Sequence, residues 1–273
     1  MSIQPTGERL TVYYPGIITL EHMHRYAIAC HVAKGKKVLD IACGEGYGAN
    51  LLAQAAIEVT GADINQETIA AARKKYGRSN LKFETASTLA LPFPDASFDM
   101  VVSFETLEHL EEQQQMIAEL KRVLRSGGLL LISTPDKKNY TDKTGHLNPF
   151  HVKELYRPDF EQLLQSYFTH TDIHSQYAGL YSVCCSAASQ DAPLVFSGNF
   201  DELNAPTSGS APFLIALASD NIIPELPVTL FEDSGLLHQL QQEFADDIRR
   251  TMSYRLGHFL LSPVRWLRKL LMK

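Results

Sequence analysis

The chain has 273 residues, 45% of them apolar and 21% charged, an ordinary water-soluble balance with room for one large α/β domain and additions. Its formal charge of −6 is uneven: from Arg249 onward there are seven Lys/Arg and no Asp/Glu, which leaves 18 bases against 31 acids, −13, in residues 1–248. An acidic body argues against nucleic acid as a partner. Four cysteines without metal or disulfide spacing (Cys30, Cys43, Cys184, Cys185) point to a reducing cytoplasm, and neither a secretory leader nor a membrane-length apolar run is expected.

Residues 1–18 carry the breakers Pro5, Gly7, Pro15 and Gly16 and read as irregular. Residues 19–33 have a helical pattern, closed by Lys34-Gly35-Lys36. Five strands follow at 37–41, 58–63, 81–85, 97–104 and 129–133, separated by helices at 48–56, 66–76 and 112–124, with Ser126-Gly127-Gly128 as a turn. Strands alternating with helices at this spacing predict βαβ units and a parallel sheet. Residues 134–151 read as a long polar loop leaving the carboxyl edge of that sheet, and loops of this length are commonly functional. A helix at 155–166, a strand at 168–175 and an apolar strand at 213–219 complete the pattern, with residues 177–211 as an insertion rich in Ser, Ala, Gly and Pro.

The chain is organised around Val38-Leu39-Asp40-Ile41-Ala42-Cys43-Gly44-Glu45-Gly46-Tyr47-Gly48-Ala49, a strand, a glycine turn and a helix start. Gly44-x-Gly46-x-x-Ala49 fits the dinucleotide fingerprint. Asp40 argues against that reading, because a carboxylate at the strand end would repel a pyrophosphate held at the turn. S-adenosylmethionine (SAM) has no phosphate and carries an ammonium and a sulfonium, so an acid here suits it. Asp63, nineteen residues after Gly44, stands at the distance expected for a carboxylate on ribose hydroxyls.

The ordered series VLDIACGEGYGA, Asp63, LPFPDASFDMVVSFETLEHL and RVLRSGGLLLIST resembles the class I SAM-dependent methyltransferases of the type 11 subgroup over residues 36–135. That resemblance implies a Rossmann-like α/β fold: a seven-stranded, mostly parallel sheet of order 3-2-1-4-5-7-6, with strand seven antiparallel and helices on both faces. It also implies SAM as cofactor, held by Asp40, Ala42, Gly44, Gly46, Asp63, Ile64, Ser87, Ser103 and Phe104. Two positions depart from the family pattern: Ala42 replaces the first glycine of the turn, and Ser87 stands where an adenine-binding Asp is usual. A second similarity, to bacterial surface-glycan-cluster methyltransferases, rests on Glu21-His22-x-x-Arg25-Tyr26, ACGEGYG, Ser103-Phe104-Glu105-Thr106 and Asn148-Pro149-Phe150-His151. It implies that Arg25 pairs with the SAM carboxylate and that Tyr26 or Tyr14 covers it; the alternative for Arg25 is a surface position on an amphipathic helix.

O-methylation needs a hydroxyl proton removed, and histidine is poised for that near neutral pH. His151 is the first candidate, then Glu105 and His109, while Glu105 also reads as a helix cap and His109 as packing. His146, Asn148 and Lys143 are candidate substrate contacts. His146 and His151 are five apart with only Asp142 as a further ligand type nearby, so no metal is expected. The expected organisation is a cap segment at 1–35, a SAM-dependent domain at 36–220 with its 177–211 insertion, and a helical extension at 221–273. In the extension, Leu236, Leu237, Leu240, Phe244, Ile248 and Met252 recur at helical spacing. After Pro263 the pattern is a basic amphipathic helix with Trp266, suited to the inner membrane surface or to docking on protein, a second copy included.

The leading functional expectation is methyl transfer to oxygen on a sugar or glycan intermediate of the cell envelope. A small lipophilic acceptor of quinone or polyketide type is the alternative within that class. A non-catalytic SAM-binding scaffold and a nicotinamide oxidoreductase represent the other classes.

Overall fold

The computed structural model describes residues 17–179, 211–232, 242 and 246–252. Seven strands form one sheet in the order β3-β2-β1-β4-β5-β7-β6. They are β1 (Lys37–Ile41), β2 (Glu58–Asp63), β3 (Leu81–Thr85), β4 (Phe98–Phe104), β5 (Leu124–Pro135), β6 (His170–Gln176) and β7 (Phe213–Ser219). The first five pair in parallel, and β7 runs antiparallel to both β5 and β6. This is the expected order and hand of pairing.

The helices are α1 (Ile17–Val32), α2 (Tyr47–Leu52), α3 (Gln66–Lys75), α4 (Gln113–Val123) and α5 (Arg157–Gln165). They cover both faces, so the central strands are buried almost end to end, as parallel sheets require. One apolar cluster joins Ala29, Val38, Ala49, Leu52 and Val59 with Met100 and Leu131; the other joins Leu39, Ile41 and Val101 with Met116, Leu120 and Phe160. Met116, Ile117, Leu120 and Val123 of α4 are wholly buried at a spacing that makes one helical face.

Three elements differ from the sequence expectation for identifiable reasons. Helix α2 stops at Leu52, and the Asn80 amide donates to the carbonyls of Ala53 (2.9 Å) and Ala56 (3.1 Å), satisfying the chain where the helix ends. Strand β5 starts at Leu124 rather than after the glycines: Phe98 pairs with Leu124 but Met100 with Leu129, so the intervening residues bulge out of the strand, with Gly127 at φ 71°. Residues 134–151 are not a structureless loop, since β5 runs on to Pro135 and Lys138–Asp142 forms a wide helical turn over the buried Asp136. Tyr14, nearly all of the 177–211 insertion and most of the 221–273 extension lie outside the described residues. Among the described residues no helix is long and apolar enough to cross a membrane.

Candidate active site

The carboxyl ends of β1, β2, β4 and β5 meet at one edge of the sheet, the place where open α/β sheets bind ligands. Strand β1 ends in Asp40, which is 1% exposed. The turn that follows uses the left-handed region three times, at Ala42 (φ 62°), Gly44 (φ 52°) and Gly46 (φ 80°). A side chain at Gly46 would strike the Phe83 ring at 2.6 Å, whereas at Gly44 it would meet nothing within 4 Å, so Gly44 borders open space. Ala42 adopts the conformation that the family's glycine supplies without strain, so this departure is costlier than its small size suggests.

Asp63 closes the turn from β2. Its carboxylate accepts from the amides of Gly44 (3.0 Å) and Asn65 (2.8 Å). Ile64, directly after it, is 68% exposed, an uncovered apolar side chain where a flat ring system can lie. Ser87 is half-buried, and its hydroxyl accepts from the amide of Leu89 at 3.2 Å.

Helix α1 completes the cofactor side. The Tyr26 hydroxyl donates to Asp40 at 3.2 Å, and its ring packs edge-on against Phe104 (5.1 Å) and Tyr47 (5.4 Å). Gly48 makes this possible, because a β-carbon there would sit 1.9 Å from the Tyr26 ring. Tyr47 in turn meets His22, whose imidazole is pushed down to about 3 by burial and by the Arg25 charge, and so stays neutral. Burial raises Asp40 to about 7, against the Tyr26 hydrogen bond that lowers it and with the help of the Asp63 charge. A cationic ligand would restore its ionised form.

Arg25 is not on the surface: it is 1% exposed. Its Nη1 lies 3.3 Å from Glu105, its Nε donates to Gln176 at 2.7 Å, and the guanidinium sits 4.5 Å from the centre of the Phe213 ring. Nη2 is buried without a partner among the described residues, a donor left for an anionic group. Glu21, buried one turn earlier, is raised to about 7 by desolvation, with Arg25 pulling the other way.

The far side of the site hangs on β4 and β5. Ser103 is fully buried with its hydroxyl unpartnered among the described residues. Glu105 sits just past the strand at φ 48°, an uncommon backbone state for a residue other than glycine, held by Ser133, whose hydroxyl donates to its carboxylate at 2.6 Å. Its neighbour Glu108 is 1% exposed; one oxygen accepts from Thr134 at 3.2 Å and the other has no hydrogen-bond partner among the described residues. Burial first, and the Glu105 charge second, drive Glu108 well above the usual carboxylate range.

The loop after β5 is pinned onto this turn. The amides of Val152 and Lys153 both donate to the Glu108 carbonyl (2.8 and 2.9 Å), and the Gln113 amide bridges the carbonyls of Leu107 and Lys153. That brings His151 beside His109, with ring centres 5.2 Å apart. His151 Nδ1 donates to Glu154 at 2.5 Å, its Nε2 accepts from Asn148 at 2.9 Å, and its ring stacks on Tyr140. His146 and Lys143 are exposed and stay out of this group, although His146 touches the Tyr140 ring edge-on. Glu108, Glu154 and Tyr140 are the members of the site that sequence reasoning did not select; Glu108-His109 was visible as a family sequence, whereas the pairing with Glu154 has no signal beyond its three-residue spacing. A separate cavity of about 570 Å³, lined by Asp136, Lys138, Asn139, Tyr156 and Arg157 among others, opens beyond the loop rather than at the Asp40 turn.

Residues 39–132 match the methyltransferase domain family. The chain is 39% identical over 167 residues to a "Probable S-adenosylmethionine-dependent methyltransferase" of Mycolicibacterium smegmatis, covering 59% of this chain and 63% of that one. It is 36% identical over 106 residues to an O-methyltransferase of Penicillium expansum, covering 37% and 38%. The chain thus spans less than two thirds of the length of the curated relatives it matches. The YcgJ protein of Bacillus subtilis superimposes with a TM-score of 0.51 at 18% identity, over 72% of this chain and 97% of that one, a likeness of fold.

The cofactor implied by the methyltransferase domain is SAM, and the residues present fit it. Gly44 borders open space, and among the described residues Asp40 has no cationic partner and Arg25 Nη2 is a buried donor without an acceptor. Asp40 and Asp63 suit the ammonium and the ribose hydroxyls, Ile64 the adenine, and Arg25 the carboxylate.

Proposed function

We propose that the protein transfers the methyl group of SAM to a hydroxyl of a small polar or glycan acceptor. One observation carries the reading: Arg25 on the cofactor side is ion-paired to Glu105 at the end of β4, and the turn that follows carries Glu108 and His109, against which His151 is packed. When bound, SAM supplies a methyl group on a positively charged sulfur. The chain's part is to hold an oxygen in line with it and to take away its proton. Glu154 fixes His151 with Nδ1 as the donor, so Nε2 carries the lone pair. Hydroxyl activation is therefore assigned to His151, as proton acceptor in the metal-free protein. Glu105 holds Arg25 in place and His109 flanks His151. Asn148 occupies Nε2 now, in the position a substrate hydroxyl would take over. Lys138 and Arg157 in the cavity beyond the loop suit a polar or anionic acceptor.

A second reading, a lipophilic acceptor, is favoured by Leu147, Phe150 and Val152, which stand 79%, 39% and 53% exposed around His151. Incubation with methyl-labelled SAM and fractionated cell-envelope extract tests both. The expected result is S-adenosylhomocysteine release with alkali-stable label in the water-soluble glycan fraction. Label in the organic fraction selects the second reading. SAM binding without S-adenosylhomocysteine release from any fraction overturns the enzyme and leaves a SAM-binding scaffold.

A further inference from the structure

We propose that Glu108, His109 and His151 form a binding site for one divalent cation of the first-row transition series. The sequence reading expected no metal because it looked within the 142–151 loop; the fold instead brings a β4-side turn to that loop. One ligand atom from each of the three residues lies within 4.8 Å of the others. Two imidazoles and one carboxylate make a mixed N/O donor set, the kind that Mn²⁺, Co²⁺ and Zn²⁺ accept and that leaves positions open for an oxygen ligand.

Two independent features mark the group as built for an ion. The first is the unpartnered Glu108 oxygen: in a side chain 1% exposed, Oε1 has no donor among the described residues, while Oε2 is fixed by Thr134. Native structures seldom leave such an atom unsatisfied. The second is the outer ring of hydrogen bonds. His151 donates from Nδ1 to Glu154, itself steadied by the Thr141 hydroxyl at 2.6 Å, and His109 donates from Nδ1 to the Phe150 carbonyl at 2.8 Å. Both rings thus have Nδ1 as the donor and Nε2 as the lone-pair atom, the arrangement that carboxylates and carbonyls impose on metal-binding histidines.

The charge balance agrees. Glu105, Glu108 and Glu154 gather here with Arg25 as the one buried cation in ion-pair contact with them, through Glu105, among the described residues. Bringing the three ligands onto one ion needs modest movement. His109 Nε2 and Glu108 Oε1 stand 4.0 Å apart, against about 3.0–3.4 Å for two ligands with bonds near 2.1 Å, and the Asn148 amide must turn away from His151 Nε2.

The role of the cation rests on the methyl-transfer reading. A hydroxyl of the acceptor that binds the ion loses its proton to water more readily, and its oxygen is held as it attacks the methyl carbon. In the loaded protein His151 is then a ligand rather than the proton acceptor.

Binding is measured on full-length protein after EDTA treatment and dialysis, with Co²⁺ followed by visible absorption and Zn²⁺ by calorimetry, and with the shift in melting temperature as a second readout. Wild type and a His31→Ala control are expected to bind one equivalent and to melt higher with metal. His109→Ala, a change at a half-buried side chain, and Glu108→Gln should each lose at least tenfold in affinity, and Glu154→Gln about 10–100-fold through the outer ring. Absence of stoichiometric binding to wild type, or His109→Ala binding as tightly as wild type, overturns the site. SAM calorimetry and S-adenosylhomocysteine release on the same samples separate the two readings. Stripped protein that binds SAM and turns over at the full rate overturns the cation and leaves methyl transfer standing. Metal binding without any SAM binding overturns the cofactor assignment instead.

Discussion

The two halves of the site are built in opposite ways. The cofactor half comes from one short stretch, residues 40–48, and its nearest neighbours: Asp63 binds back to Gly44, and Tyr26 drops onto Asp40 over Gly48. The acceptor half comes from two segments some forty residues apart, pinned by the Glu108 carbonyl, which accepts two amides, and by the Gln113 and His109 side chains. A local turn leaves a readable sequence trace, since its conformation demands glycines at fixed spacing. An assembly of distant segments leaves almost none.

Substitutions can break this contrast, because each half should fail separately. The largest effect is expected from His151→Ala: turnover falls by about 10²–10⁴-fold, the range for losing a proton-transfer group, while SAM affinity measured by calorimetry stays within a few-fold. Comparable loss of SAM affinity would mean that the halves are not separable. Asp40→Asn should act in reverse. Removing one member of a buried charge pair costs about 2–5 kcal/mol, so SAM affinity should drop by roughly 30-fold or more. The histidine group should keep its geometry, checked through the histidine resonances by NMR.

The pH dependence of SAM binding sharpens the same point. Burial raises Asp40 to about 7, and in the proposed cofactor placement the ammonium of SAM needs it ionised. Below that value binding must expel a proton, so affinity should rise about tenfold per pH unit up to about 7 and then level off. The same shift makes the free protein less stable as pH climbs from about 4 to about 7: the unfolded Asp40 ionises at its ordinary 3.8 while the folded one keeps its proton longer. Asp40→Asn should flatten both profiles except for the share from Glu21, which is raised to a similar value. A profile unchanged by Asp40→Asn would exclude Asp40 as the titrating group.

The smallest expected effect is a gain. Ala42 holds a left-handed backbone that glycine adopts freely, so Ala42→Gly should raise stability by about 1 kcal/mol, read as a higher denaturant midpoint. No gain would mean that local packing of the methyl group offsets the strain.

These contrasts explain what could be read from the chain. The alternation of strands and helices and the positions of Asp40 and Asp63 are legible because each depends on neighbours close in sequence, whereas the sheet order and the antiparallel β7 come only from the family resemblance, since β5 pairs with a strand about 80 residues further on. Arg25 was ambiguous, as a helix with mixed polarity gives no sign of which face is covered; its burial depends on Gln176 and Phe213, more than 150 residues away. His151 and His109 are legible from their chemistry, but their contact with each other and the pairing of His151 with Glu154 depend on Gln113 and the Glu108 carbonyl anchoring the loop. Gly127 and Gly128, inside β5, read as a turn because a bulge and a turn use the same residues.

The anchoring of the loop at the Glu108 carbonyl has an evolutionary side. Two amides at one point hold His151 in register, while the stretch from Lys143 to Leu147 is exposed and, among the described residues, tied only to the turn just before it, by the amides of Lys143 and Gly145, the Thr144 hydroxyl and the His146 ring against Tyr140. On the reading proposed above, exchanges along this exposed stretch would change which acceptor is recognised while leaving the contacts of His151 in place. A fold arranged in this way can change customers while keeping its tools.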